Sequence, residues 1–206
     1  MLTYGAQNES AVAALILKPG GTLRIGRLIL RMIIGGLFIG HGTQKLFGWF
    51  GGPGLAGTGQ MMDSLKLHPP RRNALAAGVT ETAGGTLLAA GLATPLAAAG
   101  LIGVMITAIR TVHWKNGPWA ANGGYEFNLV LIAALLGLVD GGPGDLSLDR
   151  ALEIHDTGPK WAIGALALGA ATSALTVELG RRSANKVAGE SPLTPPVTAG
   201  DPATAD

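Results

Sequence analysis

Eight polar side chains sit inside or at the edges of long apolar runs: His41, Gln44, Lys45, Glu81, Arg110, His113, Glu126 and Asn128. Carboxylates, imidazoles, cations and amides in apolar surroundings can carry protons, hold a ligand's oxygens, or neutralise one another. Glu81 reads either as the counter-charge of Lys45 or Arg110, or as a proton-relay or ligand group. A lone carboxylate at such depth is held uncharged by desolvation, whereas a Lys or Arg neighbour keeps it ionised. His41 and His113 could form an axial pair for a b-type haem. Two histidines without a longer pattern make haem the weaker option. Hydrogen bonding within the cluster is the stronger reading, and a quinone headgroup is the middle option, its carbonyl oxygens needing donors such as His, Lys or Arg beside apolar walls. Phe47, Trp49 and Trp114 are near enough in sequence to supply those walls. A second group, Arg24, Arg27, Arg31, Asp140 and Asp149, is expected to form ion pairs elsewhere. His68 and His155 fall in loops and read as solvated. No metal site is expected: the cysteine count is zero, which excludes thiolate-ligated zinc, iron–sulfur clusters and disulfides within the chain.

The elements that must position these groups are set by where charge is missing. Charged residues make up 14% of the 206 residues, against roughly 25% in an average soluble domain. With 15 Lys+Arg against 13 Asp+Glu, the net charge of +2 gives no case for nucleic-acid binding. No charged residue occurs between Glu81 and Arg110, and Ala93-Thr94-Pro95 interrupts that gap. Spans of bilayer length, roughly 20 residues, are expected over 73–93 and 95–114, with Pro95 in the first helical turn. Further spans are expected over 24–47, 125–140 and, from the uncharged run 161–177, a fifth segment. Helices are the only open-chain elements that satisfy their own backbone in lipid, and the alternation of a membrane barrel is absent. Small residues at four-residue spacing offer close-packing faces: Gly36 and Gly40; Ala76, Thr80 and Gly84; Ala99 and Gly103; Ala165, Gly169 and Ser173. The glycine-rich stretch 51–59 lacks the Lys-Ser/Thr of a phosphate loop and is expected to be a flexible re-entrant or surface loop. Residues 1–22 lack a signal-peptide pattern and read as a short surface helix, and 183–206 as a disordered tail.

Helical threading sorts the polar groups. At about 100° per residue, Arg24, Arg27, Arg31, His41 and Lys45 fall within roughly one 100° stripe of the first helix. If short-looped helices alternate in direction, the end of helix 1, the start of helix 2, the end of helix 3 and the start of helix 4 share one membrane face. That face collects the eight-residue cluster, with Glu81 deepest. The Arg24, Arg27, Arg31, Asp140 and Asp149 cluster lies at the opposite face. Lys/Arg counts leave the orientation open.

The run RLILRMIIGGLFIGHGTQKLFGWFG (27–51), Glu81 followed by Gly84-Gly85, His113, Tyr125-Glu126 and GGPGDLSLD (141–149) resemble the DoxX family over roughly residues 24–150. The resemblance implies an all-α integral membrane protein: an antiparallel four-helix bundle (23–150), here with a linker and fifth hydrophobic helix (151–182). It further implies association with oxidoreductase or oxidative-stress systems, with quinone as the candidate ligand and redox enzymes as the candidate partners. The expectation is therefore a multi-pass cell-membrane subunit or anchor of such a system. A small transporter or carrier using the same cluster, and a non-catalytic scaffold, are the alternatives.

Overall fold

The computed structural model describes residues 25–190; Arg24, the expected surface helix over 1–22 and residues 191–206 lie outside that range. Every regular element among the described residues is helical. In chain order these are α1 (Ile25–Phe47), α2 (Gly54–Ser64), α3 (Pro70–Ala90), α4 (Thr94–Ala108), α5 (Glu126–Gly141), α6 (Leu148–Ala151) and α7 (Pro159–Glu190). A π-turn over Ile109–His113 and a 3-10 turn over Trp114–Asn116 continue α4. Three stretches, Ile25–Phe47, Thr94–Asn116 and Pro159–Gly189, are long and apolar enough to cross a membrane.

α1, α3, α4 and α5 form the four-helix bundle, and α7 packs on α4 and α5. α3 is the least apolar of them, and the face it buries against its neighbours consists of Ala74, Gly78, Glu81, Gly84, Gly85 and Leu88. The main core joins Ile34 and Phe38 of α1, Leu88 of α3, Leu101 and Ile102 of α4, and Leu131, Leu135 and Val139 of α5. The large side chains left exposed, among them Ile29, Ile33, Leu96, Val130, Ile163 and Leu175, face outward from these helices. In a bilayer that is the surface that meets acyl chains.

Local chemistry sets the helix ends. Pro70 begins α3, where a missing N–H costs no bond. Gly91, at φ 65°, closes it: Gly91 N–H donates to Leu88 O and Leu92 N–H to Leu87 O. The stretch 51–59, expected as a loop, is largely helical. Gly48, Phe50 and Gly51 reverse the chain with positive φ, and Met62 of α2 then enters a second core with Leu67, Ala74 and Val177. That burial outweighs the poor helix propensity of its glycines. α7 runs through to Glu190, including residues 183–190.

The tightest packing is glycine against glycine. A Cβ on Gly35 would lie 2.6 Å from Gly85 O, and one on Gly42 would lie 2.7 Å from Gly78 O. Gly35 and Gly42, two turns apart, thus cross Gly85 and Gly78 in antiparallel register. Of the small-residue faces expected from sequence, Ala99/Gly103 meets Ala165/Gly169/Ser173: a Cβ on Gly169 would lie 2.9 Å from Ala99 O. These contacts ascend together along both chains, so α7 runs parallel to α4. Gly36 and Gly40 have nothing within 4 Å of a Cβ position and do not pack against any described helix. Gly85→Ala is therefore expected to lose about 1–3 kcal/mol of stability, whereas Gly36→Ala stays neutral or gains up to about 1 kcal/mol. Thermal unfolding in mild detergent separates the two.

Candidate functional site

The α1–α3 crossing brings Lys45 over Glu81. Lys45 Nζ donates to Glu81 Oε2 at 2.6 Å, and the two side chains are 21% and 3% exposed. Lys45 is thus the counter-charge, and Arg110, the other candidate, is exposed with no ion-pair partner among the described residues. Arg110 stands in the π-turn near the end of α4's apolar stretch, from which a long cationic chain reaches the polar zone instead of the bundle interior. Beside the pair lies a cavity of about 560 Å³, walled by α1, α2, α3, α4, α5 and α7. Its surface is mostly apolar, with Leu37, Phe38, Met62, Leu65, Val104 and Leu131 among the lining residues.

Five of the eight residues expected to cluster line this cavity: His41, Lys45, Glu81, His113 and Asn128. His113 Nδ1 is 2.7 Å from Gly123 O. A carbonyl can only accept, so Nδ1 carries the proton and Nε2 is the acceptor atom of the neutral ring. The π-turn that holds His113 widens the helix by one residue, a feature frequent at functional sites. Asn128 is buried, and its Nδ2 has a weak acceptor, Met105 Sδ at 3.3 Å. Its amide keeps hydrogen-bonding capacity for another group. His41 is exposed at the cavity edge, with Nδ1 3.1 Å from Gln44 Oε1.

The other three lie apart from the cavity lining. Gln44 packs under Gly52, Glu126 accepts the Ala120 N–H at 2.6 Å, and Arg110 points outward. The expected aromatic walls are also elsewhere. Phe47, Trp49 and Trp114 are well exposed, and Trp114 stacks on Tyr125 at 5.5 Å. With Phe50 and Trp119 they form an aromatic rim at this end of the bundle. Phe38 and Phe127 supply the cavity's aromatic rings instead. His68 is not free in solvent but pairs with Asp63 at 2.8 Å. Sequence reasoning missed the hydroxyl side of the cavity, Thr107, Thr111, Thr172, Ser173 and Thr176. Its signal is the Ser/Thr content of the run 172–176, of which Ser173 alone belongs to the small-residue face.

At the opposite face the expected ion pairs do not form: no salt bridge among the described residues involves Arg27, Arg31, Asp140 or Asp149. Backbone groups have taken the charges. The Asp149 carboxylate accepts from Ala93 N–H (2.7 Å), Thr94 N–H (3.0 Å) and Thr94 Oγ1 (2.6 Å), capping α4 from another element. Arg31, 1% exposed, donates to Leu146 O, and its Nε and Nη1 have no partner. Its guanidinium occupies the space that a Cβ on Gly91 would fill. Ser147 Oγ accepts from Arg150 N–H and caps α6. Arg27 lies along Gly141 and Gly144, and Asp140 is exposed.

Among the described residues no group of three or more His, Asp or Glu could hold a metal ion. The model of the DoxX family matches residues 26–114. A Bacillus subtilis (strain 168) protein named "Putative oxidoreductase CatD" is 34% identical over 128 residues, which is 62% of this chain and 87% of that protein. No solved structure matches the chain. The fold and site thus define a multi-pass helical membrane protein, and the chain belongs to the DoxX family.

Two stability measurements probe the two faces. Glu81→Leu strands an ammonium and should cost about 2–3 kcal/mol, while adding Lys45→Met should recover most of that loss; equilibrium unfolding of the single and double variants in detergent gives the coupling. Asp149→Ala uncaps α4 and should cost about 1–2 kcal/mol by the same measurement.

Proposed function

We propose that this protein is the cell-membrane subunit of an oxidoreductase system and holds a quinone-type carrier in its cavity. One observation carries the reading: a largely apolar cavity of about 560 Å³ lined by a few polar groups, Lys45 with Glu81, His113 and Asn128, and by the hydroxyls of Thr107, Thr111, Thr172, Ser173 and Thr176. Ligand sites of this kind combine apolar lining with a few placed polar atoms, in volumes of roughly 300–1,000 Å³. Lys45 and Asn128 offer N–H donors to carbonyl oxygens, and His113 Nε2 offers an acceptor to the hydroxyl of the reduced ring. The protein's part is then to bind and orient the carrier, with electrons delivered by a partner enzyme. The name of the Bacillus subtilis relative supports a redox setting.

Purification in mild detergent is expected to bring down a redox enzyme with the chain. The purified protein is expected to retain a short-chain quinone, and Asn128→Leu to weaken that retention about tenfold without lowering the unfolding temperature. A chain that purifies alone and retains no quinone overturns the reading.

A further inference from the structure

Resting on that reading, the geometry points to a lateral doorway: we infer that the cavity opens to the bilayer between α1 and α5 and takes an uncharged ring whose apolar chain passes out through this seam. α1 and α5 both wall the cavity, yet they touch each other far less than the other adjacent helices of the bundle do. At the seam the lining residues are also surface residues. Leu37 is 44% exposed and Phe127 is 52% exposed, so the cavity reaches the outside there. Leu37 lies midway along α1, eight residues or about 12 Å of helix rise before Lys45. Leu37 sets one edge of the opening at the depth of acyl chains, while Phe127, beside Asn128 at the start of α5, sets the other at the level of the polar groups and the aromatic rim.

That arrangement fits one kind of molecule. A water-soluble ligand has no reason to enter through Leu37 and Phe127. A ligand with a polar ring and a long apolar chain fits both ends, ring at the polar patch and chain in lipid. The charge balance narrows it further. Lys45 and Glu81 already neutralise each other at 2.6 Å, so a carboxylate or phosphate headgroup would find no free cation and would meet the Glu81 carboxylate. An uncharged ring with carbonyl oxygens meets donors and no net charge. Exchange then occurs sideways with the bilayer, and the ring need never cross an aqueous face.

Two quinones with the same ring, one with a single isoprenoid unit and one with a long chain, separate the possibilities. Retention of each on the immobilised protein in detergent would be titrated for the wild type and for Leu37→Phe/Phe127→Trp. Both positions are half-exposed, so added bulk should be tolerated by the fold, which the unfolding temperature checks. The doorway requires the double variant to lose long-chain affinity by about tenfold or more while short-chain affinity stays within about twofold. Unchanged long-chain retention, or equal loss of both quinones, overturns the doorway while leaving the quinone reading intact. If wild-type protein retains neither quinone, the reading under Proposed function fails and the doorway fails with it.

Discussion

The contact between α1 and α3 governs the rest of the molecule. Two pairs of glycines, Gly35 with Gly85 and Gly42 with Gly78, let the two backbones approach until no Cβ fits between them. That approach fixes the register of the pair to within one residue, because a slip in either helix would push a side chain into a carbonyl. The register in turn sets Lys45 against Glu81, so that the buried carboxyl meets a cationic partner among apolar side chains. Packing of small groups and pairing of charges are here one constraint, since neither is satisfied without the other.

The far end of the bundle is held by different means. There the loop 141–149 hands out its polar groups one by one: Leu146 O to Arg31, Ser147 Oγ to α6, the Asp149 carboxylate to the start of α4. Asp149 N–H closes back on Gly91 O, so the ends of α3 and α5 and the starts of α1 and α4 meet in one network. A loop that looks like glycine-rich punctuation in the sequence therefore does the work of a buried clamp. One end of the bundle is tightly filled, and the other contains the cavity.

Much of this was legible in the sequence, and the limits have physical causes. The gap between Glu81 and Arg110 located α3 and α4, and alternate threading places Lys45, Glu81, His113 and Asn128 toward one end, where all four line the cavity. Threading assigns a residue to an end of the bundle but not to a face of its helix, and Arg110, in the π-turn at 109–113, is exposed. The rule that buried charges pair with charges failed for Asp149, because an unfilled helix N-terminus presents three donors at once and is the better partner. α2 was hidden because its glycines look like a loop, whereas burial of Met62 and of Thr58, whose hydroxyl donates to Gly54 O and Lys45 O, holds it in place. The part of α7 in the cavity was hidden for a related reason: Thr172 and Ser173 suit both a close-packed face and a polar lining, and sequence alone shows only the first.

The parallel course of α4 and α7 fixes which way the chain faces at its two extremities. α1, α4 and α7 run one way and α3 and α5 the other, so the backbone enters the bundle at one surface with Ile25 and leaves it at the opposite surface with Glu190. The first and last helices of the described range therefore run in the same sense, with Ile25 and Glu190 toward opposite ends of the bundle.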